Sequence, residues 1–129
     1  RAPGLSKSGT ASEAMVELID VYPTLADLAE LKAPNHLQGI SLRPLLGHPD
    51  RLGKRKYAYS VVTRGPKNLG YALRNQNWRY GKWPDGEELY NLRTDPQEKN
   101  NLAQKDHLKE RLEDFRGILA EKQKLFGKN

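Results

Sequence analysis

The middle of the chain, residues 57–92, alternates short runs of strand-forming residues with turn-forming residues. Four runs have strand composition, and they cover residues 57–63, 71–74, 78–83 and 88–92. Gly, Pro, Asn and Asp lie between the runs and favour tight turns. The short spacing between the runs suggests that consecutive runs pair in opposite directions. The sequence therefore predicts a four-stranded antiparallel sheet with neighbouring strands in chain order.

A helix is predicted after the sheet, from Asp106 to Phe126, because apolar residues recur there at helical spacing. The stripe consists of Leu108, Leu112, Phe115, Leu119 and Phe126, and Gly127 is expected to end the helix. A four-stranded sheet leaves one apolar face in water unless another element covers it, so this amphipathic helix is expected to lie across the sheet. The predicted fold class is α+β.

A further helix is predicted near the N-terminus, over about residues 20–31. Asp20 is a favourable N-cap, and its carboxylate is expected to accept a hydrogen bond from the Tyr22 N–H. Pro23 falls in the first turn, where a missing N–H does no harm. A connector rich in Pro and Gly follows the helix. The predicted organisation is a helix-and-connector segment over residues 1–50 and a sheet-and-helix subdomain over residues 51–129.

Positive charge is concentrated in one part of the chain. The 129 residues carry 22 Lys and Arg against 16 Asp and Glu, a net charge of +6. Between Asp50 and Asp85 there is no acidic residue, and we call residues 51–84 the acid-free segment. Its basic side chains are interleaved with Tyr and Trp, which suits an anionic ligand, although a solvated sheet surface has the same composition.

The residues with catalytic or metal-binding chemistry form no recognisable set. The chain has no Cys, and its three histidines, His36, His48 and His107, lack metal-ligand spacing. The acidic pairs at 87–88 and 113–114 are adjacent residues, whose side chains point apart. No catalytic residue and no metal ligand are predicted, and no apolar run is long enough to span a membrane.

Three strings, in order along the chain, closely resemble signatures of the type I (arylsulfatase-like) sulfatases. Residues 16–29 read VELIDVYPTLADLA, residues 37–46 read LQGISLRPLL, and residues 88–103 read ELYNLRTDPQEKNNLA. The first is similar to a helix with Pro-Thr in its first turn, and the last to a near-terminal stretch of that family. The runs at 70–75 and 78–83 look most like iduronate-2-sulfatases.

This resemblance implies that the chain is the C-terminal part of a sulfuric ester hydrolase acting on a sulfated sugar of the glycosaminoglycan type. The family's formylglycine nucleophile arises from a Cys/Ser-x-Pro-x-Arg motif, which this sequence lacks. We therefore expect a truncated or mature product that is inactive alone. Its implied partner is a missing N-terminal catalytic α/β domain, to which residues 1–50 would form the junction. Calcium and formylglycine are implied for that domain only, and a periplasmic or extracellular location for the parent enzyme.

Four residues of the acid-free segment are predicted to contact the substrate: Arg74, Arg79, Lys82 and Trp83. Guanidinium groups pair well with sulfate and carboxylate oxygens, and aromatic faces suit sugar rings. Alternatively, Arg74 and Arg79 pair with acids of the catalytic domain. A different class of function is a stand-alone basic module that binds nucleic acid or polyanionic carbohydrate. That class explains the charge but not the three strings, so no nucleic acid partner is expected.

Overall fold

A computed structural model of the chain describes residue 4, residues 9–65 and residues 68–126. The chain forms two compact units, Arg1–Lys56 and Tyr57–Asn129, which are described in turn. The predicted division after residue 50 concerned which segment serves as a junction in a larger enzyme, and it stays a prediction.

In the first unit, a 3-10 turn over Leu18–Asp20 leads into helix α1, Val21–Leu28. The helix ends before the predicted residue 31, because Glu30 adopts a positive φ of 57°. The Leu31 N–H then donates to the Ala26 carbonyl at 2.8 Å, and the Glu30 N–H to the Asp27 carbonyl at 3.2 Å. This pair of bonds is a Schellman motif, which closes the helix without a glycine. A short helix α2, Arg43–Gly47, follows in the connector.

Asp20 is fully buried, and the predicted bond from the Tyr22 N–H is wrong, because α1 has no side-chain cap. The carboxylate is turned away from the helix. It accepts hydrogen bonds from the Glu17 N–H at 2.8 Å and the Ile40 N–H at 2.9 Å. It also pairs with the Arg55 guanidinium at 2.5 Å. Asp20 thus holds together three segments that are distant in the sequence.

The connector packs closely on the start of α1 through two further residues. The Thr24 hydroxyl donates to the Asp20 carbonyl at 2.5 Å and accepts from the Leu42 N–H at 2.9 Å. Gly39 lies so close to the Ile19 carbonyl that a Cβ there would collide with it. The strings at 16–29 and 37–46 therefore pack directly against each other within the first unit.

The second unit contains the predicted sheet. Its strands are β1, Ala58–Thr63; β2, Leu69–Arg74; β3, Trp78–Trp83; and β4, Gly86–Asn91. They are hydrogen bonded in the order β1-β2-β3-β4, and each pair is antiparallel. The predicted four-stranded antiparallel sheet is confirmed.

Helix α3, Lys109–Phe126, follows a 3-10 turn over Asp106–Leu108 and covers one face of the sheet. The core contains three sheet residues and three helix residues: Leu73, Tyr80, Leu89, Leu112, Phe115 and Leu119. The α+β fold class is confirmed, while the predicted helix end at Gly127 lies outside the described residues. In the part of the chain that the structure describes, no helix is long and apolar enough to cross a bilayer.

The outer edge of β4 is closed by the chain that follows it. Asn101 Oδ1 accepts from the Leu89 N–H at 3.0 Å, and Asn101 Nδ2 donates to the Glu87 carbonyl at 3.0 Å. The Leu102 N–H donates to the Leu89 carbonyl at 2.8 Å. The loop before this segment is held by Asp95, which accepts from two backbone N–H groups. The string at 88–103 thus builds a protected sheet edge.

Candidate functional site

The sheet face opposite α3 carries most of the predicted site residues. Because side chains alternate along a strand, the register of the sheet assigns one residue in two to this face. We call it the arginine face, formed by Ala58, Ser60, Val62, Gly70, Ala72, Arg74, Arg79, Gly81, Trp83, Gly86, Glu88 and Tyr90. Most of these side chains are small, so the larger ones stand out from a shallow floor.

Arg74 and Arg79 lie directly opposite each other on β2 and β3. Two like charges in this position repel unless something neutralises one of them. Arg79 has its own partners: its Nη1 lies 2.7 Å from Glu98 Oε2 and 3.7 Å from Glu88 Oε2. Its guanidinium also lies 5.9 Å from the centroid of the Tyr90 ring. The charge of Arg79 is therefore balanced within the second unit.

Arg74 differs from Arg79 in having an exposed side chain. Within residues 9–65 and 68–126, no hydrogen bond or ion pair engages its guanidinium. It stands at the end of β2, just before the turn at residues 75–77. On the arginine face, Arg74 is thus the cation best placed to receive an external anion.

Neighbouring groups already cover the indole ring of Trp83. Its indole lies against Gly70, where it fills the space that a Cβ would take. The Arg64 guanidinium lies over the indole, 4.5 Å from the ring centroid. A sugar ring could stack on this surface only by displacing Arg64. Trp83 and Arg64 therefore form one unit, with a cation presented above an aromatic support.

Lys82 lies on the other face of the sheet, so the structure separates it from the other three predicted residues. It is opposite Glu87 in the register of β3 and β4. The Glu87 carboxylate accepts hydrogen bonds from the Tyr80 hydroxyl at 2.5 Å and from Arg116 Nε at 2.9 Å. Arg116, aided by Tyr80 and by the charge of Lys82, lowers the pKa of Glu87 to about 2. This charged cluster ties α3 to the sheet.

Three charged residues that contact Arg79 or Trp83 on the arginine face were not predicted as site residues. Arg64 lies in the acid-free segment but outside the strand runs that suggested a site. Glu88 and Glu98 belong to the string at 88–103, and both lie close enough to Arg79 to orient its guanidinium. Glu98 reaches Arg79 because the loop after β4 folds back toward β3. Glu98 also has a positive φ of 54°, a conformation that is unfavourable for a residue with a side chain. The alternation of side chains along a strand predicts from the sequence that Lys82 and Trp83 lie on opposite faces. It does not predict that Arg64, Glu88 and Glu98 contact the site residues.

A metal centre is not visible among the described side chains. Over the ranges given above, no three His, Cys, Asp or Glu residues converge as ligands. The first unit contains a cavity of about 440 Å³, with mainly apolar lining that includes Met15, Ile40, Leu42 and Leu45.

Comparison with known proteins relates the chain to sulfatases. A family model described as N-sulphoglucosamine sulphohydrolase, C-terminal, matches residues 1–125. Arylsulfatase K of Gallus gallus is 35% identical over 119 residues, which cover 78% of this chain and 21% of the relative. A Delta 4,5-hexuronate-2-O-sulfatase of Bacteroides thetaiotaomicron is 33% identical over 110 residues, covering 78% of this chain and 22% of that protein.

A solved structure has the same fold over the whole chain. It was determined in complex with its substrate, D-glucosamine-2-N,6-O-disulfate, and it is 28% identical with a TM-score of 0.89. The match covers 100% of this chain and 28% of that one. The chain thus spans between about a fifth and a quarter of the length of the curated relatives it matches.

Proposed function

Because the chain belongs to the family of C-terminal N-sulphoglucosamine sulphohydrolase regions, we propose that it is part of an enzyme that hydrolyses sulfate esters of a sulfated sugar. The match over residues 1–125 carries this proposal. The relatives are named as sulfatases, and one was solved with a sulfated glucosamine as its substrate. The arginine face adds a surface whose charge fits such a ligand.

The finer proposal is a preference for a 2-O-sulfated hexuronate, as in iduronate-2-sulfatases. The likeness of residues 70–83 to that group motivates it. Two similar proteins support a 2-O-sulfate ester as the substrate group. One is named as a Delta 4,5-hexuronate-2-O-sulfatase, and the other is a solved 2-O glycosaminoglycan sulfatase. The proposed periplasmic or extracellular location rests on the same likeness.

For the substrate contact, we assign Arg74 the leading role. Its exposed guanidinium has no counter-charge among the residues that the structure describes, so a sulfate or carboxylate group can accept two parallel hydrogen bonds from it. Arg79, oriented by Glu98, would present its remaining N–H groups beside it. Trp83 would support Arg64 at the same face. Lys82, on the other face, would need a ligand that reaches around the sheet.

Catalytic groups are assigned to a separate domain of the parent enzyme. The sequence has no Cys and no Ser-x-Pro-x-Arg motif from which formylglycine could form. The described residues also lack a set of carboxylates that fits calcium. Under this proposal, formylglycine would supply the nucleophile and calcium the charge stabilisation, both in the catalytic domain. This chain would contribute binding and support.

The catalytic domain is also the proposed partner of the first unit. Leu18, Tyr22 and Leu25 keep 87%, 58% and 60% of their surface exposed. They follow helical spacing and form one apolar stripe along α1 and the turn before it. Such a stripe normally packs against another part of the same protein. Residues 16–31 would thus contribute to the junction with the catalytic domain that is predicted for residues 1–50.

The proposal predicts where sulfatase activity will and will not be found. The parent enzyme is expected to release sulfate from 2-O-sulfated unsaturated hexuronate disaccharides. The isolated 129-residue chain is expected to release none, because it lacks the nucleophile. Inorganic sulfate measured by ion chromatography tests both. Turnover by the pure isolated chain would overturn the proposal, as would a parent protein inactive on every sulfated sugar.

Replacing Arg74 by Ala in the parent enzyme is expected to raise KM by roughly 10- to 100-fold, the loss of one charge-assisted contact made equally in ground and transition states. Steady-state kinetics and thermal melting are measured on the same samples. Lys124→Ala, which removes an exposed cation from α3, is the control. A fall in Tm with KM unchanged would show that Arg74 instead pairs with an acid of the catalytic domain.

Lys82→Ala belongs in the same series, because Lys82 is basic and exposed like Arg74 but lies on the opposite face. An unchanged KM for this variant would confine the substrate to the arginine face. An increase matching that of Arg74→Ala would show that both faces meet the ligand.

A further inference from the structure

The two edge strands of the sheet differ in whether another described segment bonds to their outward backbone groups. The outer edge of β4 is closed by Asn101 and Leu102. At the other edge lies β1, where Val61 and Val62 keep 49% and 48% of their surface exposed. No residue that the structure describes bonds to the outward backbone groups of Val61 or Thr63. The contrast points to β1 as an edge that something else covers.

The hydrogen-bond pattern identifies which backbone groups point outward. The Arg64 N–H donates to the Asn68 carbonyl at 2.8 Å across the β1–β2 hairpin. Bonded and non-bonded pairs alternate along an antiparallel ladder. Ser60 and Val62 therefore bond to β2, in the same phase as Arg64. Val61 and Thr63 direct their N–H and C=O groups away from the sheet.

Strand β1 also lacks the features that natural proteins use to block an exposed edge. Such edges usually carry a charged residue, a proline or a bulge. Residues 58–63 read AYSVVT and contain no charge and no proline, and the register with β2 is continuous. An uncharged, β-branched edge is suited to the addition of another strand where, as at Val61 and Thr63, the described residues leave its outward donors and acceptors unbonded.

The charge of the chain argues against a second copy as that strand. Antiparallel pairing of β1 with itself would bring the basic residues that flank the strand in the sequence, Lys56 and Arg64, close to those of the second copy, with no acidic residue in the acid-free segment to offset them. A strand with acidic side chains at its ends would instead be attracted. The relatives are about four to five times as long as the matched region, so there is ample chain to supply it.

We propose that the outer edge of β1, at Val61 and Thr63, receives an extended segment of the parent polypeptide from outside this chain, with acidic side chains flanking its paired residues. The proposal rests on the proposed function only in requiring a longer parent protein. It does not depend on which ester that protein hydrolyses.

Amide hydrogen exchange followed by NMR tests the pairing. In the isolated chain, the Val61 and Thr63 amides are expected to exchange quickly, whereas those of Ser60 and Val62 are protected by β2. In the parent protein, exchange at Val61 and Thr63 is expected to slow by roughly 100-fold or more. Ser60 and Val62 serve as controls within the same strand. Fast exchange at Val61 and Thr63 in the parent would overturn the proposal.

Photo-cross-linking from p-benzoylphenylalanine at position 63 of the parent protein identifies the occupant. A cross-link to an upstream segment with Asp or Glu beside the attachment point is the expected product. A cross-link between two copies, or to a segment without acidic residues, would overturn the assignment. Sulfate release is measured on the same samples. Activity without protection would reject the edge pairing alone, and protection without activity would reject the sulfatase proposal alone.

Discussion

Replacing Asp20 by Ala is expected to destabilise the first unit by about 3–5 kcal/mol, the usual cost of breaking a buried ion pair by removing one partner. The Asp20 side chain is fully buried, and Arg55 beside it keeps only 12% of its surface and would retain, among the described residues, a single ion-pair partner, Glu17, at 2.9 Å. The substitution also leaves the Ile40 N–H without its acceptor. Protection of the Leu31 and Leu42 amides against hydrogen exchange measures the loss.

The matched control for this prediction is Asp27→Ala. Asp27 also pairs with an arginine, Arg43 at 3.1 Å, but the side chains keep 40% and 37% of their surface exposed. Hydrogen bonds from Ser41 and Arg43 lower the pKa of Asp27. Water screens an exposed pair of this kind, so the loss should be much smaller. Equal losses for the two variants would show that burial is not what makes Asp20 important.

The second large effect is expected from Phe115→Ala, which should destabilise the second unit by about 3–5 kcal/mol. Phe115 is 3% exposed at the centre of the interface between α3 and the sheet. Its ring lies 5.7 Å from that of Tyr80 and 5.8 Å from that of Tyr57. The substitution removes these aromatic contacts and leaves a cavity. Urea unfolding followed by tryptophan fluorescence reports the change, because Trp78 and Trp83 both belong to this unit.

Leu125→Ala is the control on the same helix. Leu125 keeps 68% of its surface exposed, and Ala has a higher helix propensity than Leu, so the free energy of unfolding should change little. A loss for Leu125→Ala equal to that of Phe115→Ala would mean that helix formation, rather than core packing, determines the stability of the unit.

The fold was largely predictable because its elements depend on local patterns. Short runs of aromatic and aliphatic residues between turn-forming residues mark β3 and β4, and the spacing of Leu112, Phe115 and Leu119 marks α3. The end of α1 was less predictable. Glu30 takes a left-handed conformation that sequence rules reserve for Gly or Asn, and only the Schellman bonds reveal it. Asp20 has the sequence features of a cap, yet long-range partners redirect its carboxylate.

The candidate site was predicted less completely than the fold. The charge pattern, together with the likeness of residues 70–83 to iduronate-2-sulfatases, selected Arg74, Arg79, Lys82 and Trp83 but could not rank them. Ranking required partners from elsewhere in the chain: Glu98 balances Arg79, and Arg64 covers Trp83. Neither pairing leaves a periodic signal, because each depends on how a loop or hairpin places a side chain. The exposed state of Arg74 became informative only after these neighbours had been located.

The strictly sequential order of the sheet has a consequence for how the second unit folds. Each strand pairs with the one made just before it, through hairpins of a few residues, and β4 is then closed by the segment that follows it. Among the described residues of this unit, the docking of α3 joins the residues that lie farthest apart in the sequence. Short loops have a low entropic cost of closure, so this topology favours rapid folding. A ribosome could thus release the sheet nearly complete before α3 has been made.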